Sequence, residues 1–335
     1  MDLVTHLLAS YTVGRTARAR INSPLMAAAL LAGTAPDIDR CWHLSGPLAA
    51  MRAYGTSTHS LPGAAALAAA IAAAVWAATR HRTSASHRLP ALLAATFSAA
   101  GLHLLLDVST GTGIEPWWPF LNARAAWNLT PSFDVVTVLL LVFFAVLPLL
   151  LVMIKEEIGV PVDPEPSRVW PIAALLLVGM WLGVRAEMHH RAEKIVSGAV
   201  YHGGTALHWA AFPAGASPFR WRGVVETEAL LADVEVVLES GQPFAPDAAV
   251  LYYKPDPSPI VDAVAAAPLA RAYTALARFP LLNVETRPDG ARAELRELGD
   301  SLLHTRDGSW AAQIDLDLQP RVTHETLFYL PARPY

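Results

Sequence analysis

The sequence predicts a multi-pass α-helical membrane domain, residues 1–185, followed by a soluble α+β domain with a mostly antiparallel sheet, residues 186–335. Three observations lead there. The 335-residue chain is 53% hydrophobic and only 16% charged, on the membrane side of ordinary globular composition. The apolar excess lies in the Ala- and Leu-rich first half, and beyond about Arg185 the composition is that of a soluble protein. The first half also divides into helix-length apolar runs with charges at their ends, the second into short strand-like runs bounded by turn residues.

Taken in order, residues 7–14 form a short helical run that ends in Arg15, Arg18 and Arg20. Ser23-Pro24 is a helix start with Pro at the first position, and the run from Leu25 to Ala35 lands on Pro36-Asp37-Ile38-Asp39. Both runs fall short of the ~20 residues that cross a bilayer. They read as a paired, partly embedded hairpin, or as spans that take in flanking residues. Residues 46–55 read as a loop before Thr58-His59-Ser60.

Residues 62–79 are Ala-rich and uncharged, a span candidate, and the basic linker Arg80-His81-Arg82 to His87-Arg88 leads to a returning helix, 90–106. Trp117 and Trp118, in the next loop, suit a membrane interface. The strongest span is 135–154, opened by Asp134. A Pro-rich linker, 160–166, leads to a last span, 170–184, and a helical stalk through Lys194. Strands follow at 205–212, 220–227, 233–238 and 249–253, then a helix at 260–278. Strands resume at 282–286, 291–295, 311–318 and 323–330, with a turn at Pro288-Asp289-Gly290.

The charges sort by helix end. Arg15, Arg18, Arg20, Arg80, Arg82, Arg88 and Lys155 fall at one set of ends, and His6, Asp37, Asp39, His59, His103, Asp107 and Asp134 at the other. Arg40, Arg52 and Arg124 go against the pattern. The positive-inside rule puts the basic ends in the cytoplasm, so the His/Asp ends and the C-terminal domain are expected outside it. A net charge of −4 leaves no basic footprint for nucleic acid. The lone cysteine, Cys41, rules out an internal disulfide and reads as a small packed residue. The N-terminus lacks the positive segment of a secretory signal and is expected to stay in the mature protein.

His103 and Asp107, at i and i+4 on an apolar helix, share one face. Ionisable groups in such a setting point to function. Asp37 and Asp39, two apart in an extended stretch, would share one side. With His6 and His59 they make three imidazoles and three or four carboxylates, a set that suits Zn, Mn or Fe, as one ion or two with Zn or Mn foremost, better than Ca. Asp39 or Asp107 would bridge a two-ion site, and Asp39, His103 and Asp107 are the expected catalytic residues. Asp134 reads as a helix cap rather than a ligand, and Glu115 is a weaker candidate. Thr5 and Thr58 read as caps more than as partners of the neighbouring imidazoles. The histidines of the second half, His189, His190, His202, His208, His304 and His324, show no ligand spacing.

With these residues assembled, the first ~140 positions resemble the YdjM/YbcI-like inner-membrane, metal-dependent hydrolase family. The resemblance is carried by Met1-Asp2 through Thr5-His6, Ala35-Pro36-Asp37-Ile38-Asp39, Thr58-His59-Ser60, and His103 to Asp107 with Thr110 and Gly113. Trp118-Pro119-Phe120 and Asp134 complete it, and Ser217 to Thr227 matches longer members. Gly55-Thr56-Ser57 stands where the family usually carries Arg-Gly. The resemblance implies a hydrolase of the bacterial cytoplasmic membrane, with His6, Asp37, Asp39, His59, His103 and Asp107 as metal-site positions.

The expected function is metal-dependent hydrolysis of an ester or phosphoester, with a membrane lipid or lipid-linked substrate because the site sits at a membrane face. The rival is a non-catalytic, metal-stabilised membrane protein whose second domain binds an unknown protein partner. A transporter, with His103 and Asp107 lining an ion path, fits less well with groups clustered at one face.

Overall fold

The computed structural model describes residues 1–81, 89–162, 167–239, 244–305 and 308–331; Arg82, His87, Arg88 and residues 163–166 of the expected linkers lie outside the described residues. The chain divides into two compact units, Met1–Arg185 and Ala186–Tyr335.

In the first unit, α1 (Leu3–Thr16) starts at Asp2, whose carboxylate accepts the Thr5 N–H, and α2 (Pro24–Thr34) starts at Ser23, which caps Met26. These pair with each other and with α4 (Leu61–Thr79) and α5 (Leu89–Val108) through a core of small side chains: Ala28, Ala29, Ala32, Ala72, Ala95 and Ala99. Alanines let helix backbones approach closely, so dispersion contacts replace the hydrophobic drive that lipid cannot supply. The tightest approach is at Gly33, where an added Cβ would lie 1.8 Å from Ser10 Oγ. A second cluster joins Ala9 and Leu106 to Leu141 of α6 (Val135–Glu157) and to Ala174 and Val178 of α7 (Val169–Gly198).

Among the described residues, four helices, α4 to α7, are long and apolar enough to cross a membrane. They leave large apolar side chains outward, including Leu139, Met153 and Leu176, as a helix facing lipid does. At 14 and 11 residues, α1 and α2 are shorter.

Several local expectations are corrected. Residues Ala35–Ser45 form a 3-10 helix, not an extended stretch. Within the expected loop at 46–55 lies α3 (Pro47–Ala53), with Pro47 in its first turn and alanines behind it. Cys41 is exposed rather than packed. The expected last span and helical stalk, by contrast, are both helical and run on as one helix, α7.

The second unit is α+β and antiparallel throughout. After the short pair β1 (Val200–Tyr201) and β2 (Gly204–Thr205), one sheet runs in sequence order: β3 (His208–Pro213), β4 (Arg220–Glu226), β5 (Leu230–Val237) and β6 (Val250–Tyr253). Period-2 alternation divides its faces. Trp221, Val225, Ala232, Val234 and Val236 pack on Ala192 and Val196 at the end of α7, while Ala210, Phe212, Val224 and Leu231 meet Phe279 and Leu281.

The second sheet contains β7 (Pro280–Arg287), β8 (Gly290–Glu297), β10 (Gly308–Leu316) and β11 (Val322–Pro331) in the order 11-10-8-7, with β9 (His304–Thr305) on β10. Pro288-Asp289 closes the β7–β8 hairpin against Gly290, where a Cβ would meet the Leu316 carbonyl at 1.9 Å. The helix expected at 260–278 is broken into α8 (Pro259–Ala266) and α9 (Pro268–Thr274). Pro268 forces extended backbone on Ala267.

Candidate metal centre

The helix ends that the sequence sorted together meet in the structure. His6 comes from the start of α1, Asp37 and Asp39 from the 3-10 helix, His59 from just ahead of α4, and His103 and Asp107 from the last turns of α5. Of the six, His6, Asp39, His59, His103 and Asp107 are buried to within 2% of complete. The Asp37 side chain keeps 8% exposure, at the margin of the cluster.

Asp107 is the hub. Its Oδ1 lies 3.2 Å from His6 Nε2 and against the α-amino group of Met1. Its Oδ2 lies 3.2 Å from His59 Nε2 and 3.1 Å from His103 Nε2. The His6 and His103 rings stack at 3.7 Å. Two sets of donor atoms fall within ligand-sharing range, His6/His103/Asp107 and Asp37/His59/His103.

The far edges of two rings determine what the near edges offer. His103 Nδ1 lies 2.7 Å from the Gly33 carbonyl oxygen, which only accepts, so Nδ1 carries the proton and Nε2 presents a lone pair. His59 Nδ1 lies 2.9 Å from Asp39 Oδ2. The lone pair of His103 therefore faces a buried carboxylate oxygen, Asp107 Oδ2, at 3.1 Å. Acceptors turned on one another in a dry interior are costly, and a cation resolves the arrangement. The residues present thus fit a divalent ion bound by imidazole and carboxylate, with outer hydrogen bonds orienting the imidazoles.

Asp37 and Asp39 do not share one face as expected. They flank the two nitrogens of one ring, Asp37 Oδ1 at 3.9 Å from His59 Nε2 and Asp39 at Nδ1. Asp39 belongs to neither ligand set, and its Oδ2 also takes the Gly55 N–H at 3.0 Å. It positions His59.

Burial lowers both histidines outside the apolar spans, but the outcomes differ. His6 falls to about 4, its contact with Asp107 only partly compensating. For His59, hydrogen bonds to Asp107 and Asp39 outweigh burial and raise it to about 9.

Asp134 is the cap of α6, accepting the Thr137 N–H and the Trp181 indole N–H at 2.8 Å. Asp2 and Ser60 cap α1 and α4, and Thr58 Oγ1 lies 3.3 Å from His59 Nδ1. Glu115 pairs with Arg124 at 3.3 Å. That arginine also donates to the carbonyls of Tyr54 and Gly113, which fastens the turn ahead of His59. Among the described residues no metal-spaced group occurs in the second unit.

Three contributors had no signal in the sequence: the Gly33 carbonyl, the Gly55 amide and the buried Arg185, which donates to the Leu129 carbonyl. Backbone groups leave no residue signature. The glycine at 33 was the only available clue to a close approach.

Fold and site together define a membrane protein whose helical half carries a buried His/Asp cluster suited to a metal ion. Residues 1–192 match the YdjM inner membrane protein family, and the chain belongs to that family. No curated protein and no solved structure matches the chain.

Proposed function

We propose that the protein is a metal-dependent hydrolase of the membrane, acting on an ester or phosphoester in a lipid-linked substrate. The observation that carries this reading is the Asp107 carboxylate surrounded by the Nε2 atoms of His6, His59 and His103. His6, Asp37, His59, His103 and Asp107 would hold one or two Zn or Mn ions. A metal held there would supply a water of near-neutral pKa and polarisation of the scissile group's oxygen. The chain does the positioning: Gly33 fixes the His103 tautomer, Asp39 holds His59, and burial keeps bulk water from the donor atoms. In the net reaction, water oxygen joins carbon or phosphorus, the alkoxy bond breaks, and the alcohol leaves with a proton.

The same reading makes α4 to α7 spans of the bacterial cytoplasmic membrane, with the His/Asp ends extracytoplasmic. Arg15, Arg80 and Lys155 lie at the opposite helix ends. Trp117, Phe120 and Trp127 are exposed in the loop beside the site, where interfacial aromatics belong. Trp181 bonds the α6 cap, which brings that turn of α7 to the site end of the helical unit.

The test is release of phosphate or fatty acid from a panel of phospholipids and lipid-linked phosphodiesters by Zn- or Mn-loaded protein in detergent. Turnover that vanishes in Asp107→Ala supports the reading. Near-complete burial of four of the donors favours a second reading, a metal that only stabilises the fold. Metal binding without turnover across the panel would select it.

A further inference from the structure

The candidate site has one margin that is not closed, and it opens onto an apolar groove. The groove has a volume of about 580 Å³ and lies between the start of α1, the end of α2, the 3-10 helix and one side of α4. Its walls are Leu3, Leu31, Ile38, Leu67 and Ile71 with Thr34 and Ala35 at the end of α2, and among the described residues its only ionisable group is Asp37. Leu3, Leu31 and Ile38 are 46%, 54% and 61% exposed. That volume is within the ~300–1,000 Å³ of ligand sites.

The lining indicates the occupant. Among the described residues no basic side chain lines it, and the one hydroxyl there, Thr34, donates back to the Leu30 carbonyl of its own helix, so little is placed to read a sugar, a nucleotide or a peptide. An aliphatic wall recognises an aliphatic chain. One wall, α4, carries no charged residue and is apolar enough to cross a membrane, so in the bilayer of the proposed reading the open side would meet acyl chains. The polar end is also determined. Asp37 Oδ1 lies 3.9 Å from His59 Nε2, and Asp37 forms a ligand set with His59 and His103.

We propose that this groove seats one acyl chain of a membrane lipid that enters sideways, from the bilayer, with its ester or phosphoester end at Asp37. The inference rests on the hydrolase reading for its polar end and adds the substrate class and the route of entry. Leu31, Ile38, Leu67 and Ile71 set the length and width of chain accepted.

The test uses the full chain in phosphatidylethanolamine/phosphatidylglycerol nanodiscs doped with a phosphatidylethanolamine carrying a diazirine on its acyl chain. Crosslinked peptides are mapped by mass spectrometry, and metal is measured on the same samples. Labelling concentrated on the segments bearing Leu31, Ile38, Leu67 and Ile71, and lost in Leu31→Trp and Leu67→Trp but kept in the α6 control Val146→Trp, supports the groove. Labelling spread evenly over the outward faces of α4 to α7, and unchanged by the tryptophans, overturns it. The wild-type map decides alone if a groove variant fails to fold. Even labelling with metal present removes the groove and leaves the metal reading standing. Groove labelling without metal keeps the acyl site and removes the hydrolase.

Discussion

His103 donates from Nδ1 to the Gly33 carbonyl oxygen at 2.7 Å, tying the last turns of α5 to the end of α2. One bond thereby couples the packing of three helices to the state of a ligand atom. Gly33 approaches α1 closely enough that a Cβ would sit 1.8 Å from Ser10 Oγ, and Ser10 in turn donates to the His6 carbonyl at 2.6 Å. Gly33→Ala must therefore push α1 from α2 and disturb His6 and His103 together. It is expected to lower both the melting temperature and the metal content, with partial recovery in Gly33→Ala/Ser10→Ala. Unchanged metal content in Gly33→Ala would dissociate the helix contact from the site.

Asp39 holds His59 from the far edge of its ring and is outside both ligand sets. Asp39→Ala should weaken metal affinity by ~10–100-fold, the usual cost of losing an orienting partner, without abolishing binding. Asp107→Ala should abolish it. Competition with a chelator of known affinity separates the two, and equal losses would make Asp39 a ligand.

In metal-free protein, stability should peak near the ordinary histidine value of ~6.5. His59 is raised to about 9, so its contribution is complete below ~6.5 and disappears as pH rises through 9. His6 is lowered to about 4, so its unfolded form binds the proton first and stability falls as pH drops from ~6.5 toward 4. Melting temperatures of chelator-treated protein across this range check the sign. Metal loading should remove the alkaline fall, because a ligating imidazole is already deprotonated.

Trp221 anchors the first sheet of the second unit, fully buried with its indole N–H on the Pro218 carbonyl at 2.9 Å. Trp221→Ala should cost ~3–5 kcal/mol, read as faster proteolysis within residues 199–331. A wild-type cleavage rate would show that the sheet does not depend on this side chain.

Much of this was legible beforehand because the patterns are periodic. The i, i+4 pair His103/Asp107 and the alternation at 220–227 follow from helix and strand geometry alone. The helix at 47–53 was hidden because its seven residues show too little periodicity between Gly46 and Gly55. The stretch after Pro36 is ambiguous in the sequence, because Asp37 and Asp39 fit an extended strand equally well. Only the 3-10 turn puts them on opposite edges of His59. The break at Pro268 was legible in principle, since a proline inside a helical run restricts the residue before it. The division between ligands and positioning groups was not legible, because it depends on which imidazole edge each partner touches.

The central claim is that the His/Asp cluster around Asp107 holds a metal. The most direct measurement is elemental analysis of freshly purified wild type beside His103→Ala and Asp107→Ala. One to two equivalents of Zn or Mn per chain, lost in both variants, is the predicted result. Folded wild type without metal, or variants that keep it, would contradict the account.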